Sequence, residues 1–181
     1  MKLTETPLKD CFILEPDVHG DHRGFFMESF NQKVFNEVTN TNFNFVQDNH
    51  SSSKRGVLRG LHYQLGSPQG KLVRVLKGEV YDVAIDLRKS SPTFGQWIGI
   101  YLNDQEKKMF WVPPGFGHGF VVLSEQAEFF YKTTDYYMPK EEKCIVWNDP
   151  DLKIDWKYQV EPMLSGKDMN GDLFKNASYY K

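Results

Sequence analysis

The chain has 181 residues, 40% of them hydrophobic and 15% aromatic, with a formal charge of −2. That length supports one cored domain without disulfide or metal staples. Lys and Arg are scattered, which leaves no basic stripe for nucleic acid, and no window nears the ~18 consecutive apolar residues of a membrane span.

Residues 1–10 carry no apolar core of a signal peptide, so nothing points to secretion. Cys11 and Cys144 match no metal spacing and are expected to be reduced thiols in a cytoplasmic protein. In chain order, residues 31–39 predict a short helix. Strands are then expected over 43–46, 57–64, 72–76, 79–87, 96–102, 108–112, 119–123 and 128–136, with a second short helix from Ser165 onward. Turn chemistry separates them at Lys77-Gly78, Ser90-Ser91-Pro92, Asn103-Asp104 and Ser124-Glu125. In residues 81–87 the large apolar residues fall on odd positions and Asp82 and Asp86 on even ones, the pattern of a half-buried strand. Short strands at this spacing imply an antiparallel sandwich or barrel, with a double-sheet jelly roll as the natural candidate. No linker or repeat divides the chain, and irregular arms are expected at both ends.

Polar residues at positions that packing would leave apolar mark the candidate site. Arg59-Gly60-Leu61-His62-Tyr63-Gln64 sets a guanidinium, an imidazole and an amide on one expected strand, and Gly70-Lys71-Leu72-Val73-Arg74 adds an ammonium. A base near neutral pH beside fixed cations suits proton abstraction next to a carbonyl. In a regular strand Arg59 and His62 would face opposite ways, so an irregularity is expected at Gly60, bringing both into one cavity. Gln47-Asp48-Asn49-His50-Ser51 reads equally as a solvated turn or a binding segment. The loop over residues 113–119 is expected to deliver His118 at the start of a strand, and Tyr131 sits inside an apolar strand as a core tyrosine or a proton donor. Tyr136-Tyr137 and Glu141-Glu142 read as loop residues. Nothing local joins Ser165-Gly166-Lys167-Asp168 to His62.

Together with Tyr131-Lys132, Tyr136-Tyr137 and Trp147-Asn148-Asp149, these motifs resemble the set found in the dTDP-4-dehydrorhamnose 3,5-epimerases, over residues 12–168. That resemblance implies a cupin-like jelly roll (a double-stranded β-helix with short peripheral helices) of the metal-free branch, without a cofactor, acting as a homodimer on a dTDP-4-keto-6-deoxy sugar. It implies His62 as base, Asp168 as its carboxylate partner, Tyr131 as the acid on the opposite face of the sugar, and Lys71 as the cation at the C4 oxygen. Arg23, Glu28, Gln47, Asp48, Asn49, Arg59, His118, Glu142 and Lys167 match nucleotide-sugar contacts, and Tyr137 matches an aromatic that stacks on thymine. Phe26 belongs to an N-terminal segment that reaches a partner subunit's site.

The implied chemistry is proton removal from C3 and C5, both acidified by the C4 ketone, with reprotonation from the other face. Metal-binding cupins carry His-x-His followed by Glu, whereas His62 is followed by Tyr63-Gln64, so that ligand set cannot form. A single-centre epimerase or ketoisomerase on the same fold stays open as an alternative. A metal-dependent oxygenase lacks the ligands, and a sugar-binding module has no use for a base opposed by a phenol.

Overall fold

The computed structural model describes residues 1–181. Six strands form one sheet in the order β1 (Lys2–Glu5), β2 (Phe12–Glu15), β10 (Met109–Val112), β7 (Lys71–Lys77), β12 (Gln126–Thr133) and β5 (Gln47–Lys54). Five form the other, in the order β13 (Glu142–Cys144), β6 (Leu58–Gln64), β11 (Phe116–Val122), β8 (Glu79–Asp86) and β9 (Trp97–Asn103). A hairpin of β3 (Val18–Asp21) and β4 (Gly24–Met27) stands apart from both. All pairings between these strands are antiparallel. The expected jelly roll is the observed fold, although β1 to β4 and β13, of three or four residues each, are too short to stand out in the sequence.

The two sheets face each other across a core built from Val73, Val75, Phe110 and Phe129 of the first and Val80, Ala84, Leu102, Phe116 and Phe120 of the second. The outer face of the first sheet is closed by helix α1 (Gln32–Thr39). Its N-terminus is capped by the Asn31 side chain, which accepts the Lys33 and Val34 N–H groups at 3.0 and 3.2 Å. Phe35 of this helix packs on Trp111 with ring centroids 5.0 Å apart. The outer face of the second sheet is covered by the C-terminal 30 or so residues through Leu152, Trp156 and Ala177. Asp149, in the Trp-Asn-Asp motif, accepts N–H groups from Asp151, Leu152 and Phe174 and holds this covering layer in place.

That cover reverses one expectation. Strand β8 is buried from Val80 through Asp86, so it is not half-exposed. Its apolar odd face (Tyr81, Val83, Ile85) lies under the C-terminal layer, while the even face carrying Asp82 looks into the barrel. A two-layer reading had no way to anticipate the third layer.

Two other local readings are corrected. Residues 43–46 are not a strand, because Phe43 and Phe45 settle on Trp111 at 5.3 and 5.8 Å and their alternation serves that aromatic cluster rather than sheet pairing. The polar stretch after them is no turn: β5 pairs with β12 along its whole length, Gln47 to Thr133 through Lys54 to Gln126. Its inward side chains line a cavity, so the hydrophobic period of a strand is missing. The loop before β11 ends at Gly115 and His118 lies in mid-strand, not at its start. The second helix, α2 (Gly166–Met169), is a single turn.

No helix is long and apolar enough to cross a membrane.

Candidate active site

At one end of the barrel the apolar filling gives way to a cavity of about 300 Å³. His62, Lys71, Tyr131, Arg59, Asn49, His118, Tyr137 and Glu142 lie on its wall, along with His50 and Ser51 of β5. His62 belongs to β6 and Tyr131 to β12, so the imidazole and the phenol approach the cavity from facing sheets.

The irregularity expected at Gly60 is present. Across β6 and β11, His62 pairs with His118 but Arg59 pairs with Phe120, a register shift between the two. Leu58 faces the outer apolar layer before it, Leu61 and Tyr63 after it, while Arg59 and His62 both reach the cavity. Only glycine fits: Gly60 has φ 119°, and a Cβ there would meet Gly119 Cα at 2.5 Å. The Arg59 guanidinium is held by N–H bonds to Ser53 Oγ at 3.0 and 3.3 Å.

Asp168, 106 residues after His62 in sequence, is brought to it by α2. His62 Nε2 lies 2.8 Å from Asp168 Oδ1, with the carboxylate 3% exposed. The N–H direction is poorly aligned on that oxygen. Oδ1 also accepts the Gly60 N–H at 3.0 Å, and Oδ2 accepts the Ser165 hydroxyl at 2.6 Å. Ser165 and Asp168 cap the helix reciprocally. Burial alone would raise the Asp168 carboxyl, but His62, Ser165 and Gly60 together hold it far below the usual carboxylate range. An ionised Asp168 facing Nε2 favours the tautomer with its proton there, leaving Nδ1 as the nitrogen free to take one.

Lys71 is 8% exposed, and its Nζ donates to the His62 carbonyl oxygen at 3.3 Å. Burial lowers its ammonium to about 8, against the opposing pull of Glu142 and Asp82. The Tyr131 phenol is raised, first by burial and then by the Glu142 carboxylate, so it stays protonated at neutral pH. Behind the cavity His118 Nε2 contacts both oxygens of Asp82, at 2.9 and 3.1 Å. Burial raises the Asp82 carboxyl, partly offset by His118. Asp82 is a site residue the sequence did not flag, because its alternation read as the solvent face.

At the cavity mouth Glu142 Oε2 accepts both the Tyr137 hydroxyl at 2.6 Å and Lys167 Nζ at 2.5 Å. Burial raises this carboxyl, but these two donors win and lower it. The loop carrying Tyr137 is pinned by two cavity amides: Gln64 accepts the Met138 N–H at 2.8 Å, and Gln69 donates to the Asp135 carbonyl at 2.9 Å. Gln47 takes part from outside the wall, accepting the Tyr137 N–H at 3.0 Å and donating to Asn49 Oδ1 at 3.0 Å.

Four residues expected in the site lie elsewhere in the chain. Asp48 points to the outer face of β5 and pairs with Lys132 at 2.6 Å, since alternation sends it opposite to Gln47 and Asn49. Arg23 sits in the β3–β4 hairpin, paired with Asp21 at 2.6 Å. Phe26 on that hairpin is 73% exposed. Glu28, just beyond it, accepts from Asn31 at 3.1 Å. Within one chain none of the last three reaches the cavity.

Known proteins resemble the chain in sequence and in fold. The family model for dTDP-4-dehydrorhamnose 3,5-epimerase matches residues 5–176. An enzyme of that name from Pseudomonas aeruginosa is 58% identical over 180 residues, 99% of each chain. The crystal structure of the Elizabethkingia anophelis epimerase superposes with a TM-score of 0.94 at 52% identity, covering 99% of both chains. A Legionella pneumophila epimerase crystallised with dTDP-4-keto-L-rhamnose gives 0.95 at 50% identity, covering 98% of this chain and 94% of that one. The chain belongs to the dTDP-4-dehydrorhamnose 3,5-epimerase family.

Proposed function

We propose that the protein inverts C3 and C5 of dTDP-4-dehydro-6-deoxy-glucose, giving dTDP-4-dehydro-rhamnose for dTDP-rhamnose biosynthesis. The observation that carries this reading is the placement of a base and a proton donor on opposite walls of one cavity, His62 from β6 and Tyr131 from β12. His62 takes the C5 or C3 proton, each acidified by the ketone at C4. Lys71 and Arg59 stabilise the enolate oxygen by fixed positive charge. Tyr131 delivers a proton to the far face, and Asp168 orients the imidazole and steadies its charged form. Glu142, Lys167, Asn49, Gln47 and His118 surround the rest of the nucleotide sugar, with Tyr137 against the base. Incubating the protein with the substrate in deuterium oxide tests this: label at both C3 and C5 supports double inversion, and label at one centre alone reduces it to a single-centre epimerase.

In Tyr131→Phe, deuterium is expected to enter the substrate faster than epimer accumulates, because abstraction needs no phenol while opposite-face delivery does. Equal loss of exchange and inversion, read by NMR, removes Tyr131 from the donor role.

Arg23, Phe26 and Glu28 fit a homodimer in which each cavity is completed by the neighbour's hairpin. Phe25 and Phe26, 58% and 73% exposed, make an apolar patch that an isologous contact would cover. Mixing His62→Ala with Arg23→Ala chains is expected to restore activity from two inactive parents, since one site of each heterodimer then carries neither change. No recovery after verified subunit exchange means each site is built from one chain. The unpaired thiols of Cys11 and Cys144 suit a cytoplasmic setting.

A further inference from the structure

Cys144 has no part in the chemistry above, yet it sits against the base. In the β13–β6 pairing it lies directly opposite His62. One donor atom each from His62, Cys144 and Asp168 fall within 4.8 Å of one another. Cys144 is 8% exposed and Asp168 2%. The Nε2 atom of His62 is itself buried and makes no aligned hydrogen bond. Three ligand types thus converge from three separate elements, β6, β13 and α2, around a nitrogen that is poorly satisfied.

We propose that His62, Cys144 and Asp168 form an inhibitory site for a thiophilic divalent cation of the Zn²⁺ kind. Imidazole, thiolate and carboxylate are the ligand classes such an ion takes, commonly three from protein with water in the fourth position. Bonds of about 2.0–2.3 Å place tetrahedral donors roughly 3.3–3.7 Å apart. A donor set already within 4.8 Å therefore closes on the ion by side-chain shifts of about an ångström. The set differs from the usual cupin ligands, which cannot form on this strand.

The binding step is balanced by proton release. The hydrated ion loses waters, the Cys144 thiol gives its proton to solvent, and His62 changes tautomer, its Nε2 proton passing through water to Nδ1. The Nε2 lone pair then belongs to the metal, and the neutral imidazole carries its one proton on Nδ1. With Nδ1 protonated, His62 has no lone pair for the substrate proton, and Asp168 is diverted from orienting it. Inhibition rests on the proposed role of His62; metal binding does not.

Two readouts keep these apart. Adding Co²⁺ to the metal-free protein and recording the near-ultraviolet and visible spectrum reports a thiolate–cobalt charge-transfer band without any substrate. One equivalent of Co²⁺ giving that band in wild type and none in Cys144→Ser is the expected result. In turnover assays Zn²⁺ should inhibit wild type and a chelator restore it. Cys144→Ser should keep its basal rate and need far more Zn²⁺, at least the ~10–100-fold typical of losing even an outer metal-site partner. Absence of the thiolate band in wild type overturns the site, whatever the variant does. The band without inhibition keeps the site and overturns its action on His62. Equal Zn²⁺ sensitivity of wild type and Cys144→Ser overturns the inhibitory role as well.

Discussion

His62→Ala is expected to lower deuterium incorporation at C3 and C5 together by about 10²–10⁴-fold, the usual range for losing a general base. Both carbons flank one carbonyl, and of the other imidazoles on the wall His118 is tied through Nε2 to Asp82 and His50 lies beside Glu128, so His62 is expected to serve both centres. Binding of dTDP should be little changed, because the charged groups at the mouth, Glu142 and Lys167, remain paired at 2.5 Å. Exchange is measured by NMR or mass spectrometry and dTDP affinity by calorimetry. Loss at one carbon only assigns the other centre to a second base. Retention of near-wild-type exchange at both removes His62 from the role.

Lys71→Met should cost nearly as much. One preorganised donor to a developing oxyanion contributes about 2.7–4 kcal/mol to the barrier, or roughly 10²–10³ in rate. Methionine keeps most of the buried volume, so the fold should survive and the loss should appear in kcat. The lysine also predicts a pH limit. Burial lowers the ammonium to about 8, so the cation is present below that pH and is lost as pH rises through it. The alkaline limb of kcat/KM is therefore expected near pH 8, and Lys71→Met should abolish that limb along with most of the activity. An alkaline limb persisting unchanged in the variant assigns it to another group.

The sequence disclosed the fold's middle better than its edges. Strands β6 to β12 carry their own punctuation, with Lys77-Gly78 and Asn103-Asp104 marking the turns between long β-prone runs. Strand β5 was hidden because a strand that lines a polar cavity has no hydrophobic period. Asp82 was misread for the converse reason: a carboxylate facing inward toward His118 has the same alternation as one facing water. Within the site, the Arg59–His62 geometry followed from strand parity and the intervening glycine. The pairing of His62 with Asp168 did not. Their 106-residue separation leaves no local spacing to read, and only the family resemblance associates them at the level of sequence. Asp48 shows that resemblance works at the level of motifs, whereas side-chain direction belongs to the backbone.

Asp168 is also a structural fastener. The same carboxylate that faces His62 caps α2 and accepts the Gly60 N–H. The segment bearing it is tied to β13 by the Asp172 N–H bond to the Cys144 carbonyl at 2.8 Å. Local opening of this end of the chain is a separate equilibrium from global unfolding, with its own smaller free energy. Each opening takes the carboxylate away from the imidazole and leaves the barrel standing. Mild denaturant should then silence the enzyme while the β-sheet signal in circular dichroism is still intact, and amide exchange in residues 165–172 should rise in step with the lost rate. On the roles proposed for His62 and Asp168, catalytic competence depends on how tightly this last layer stays closed.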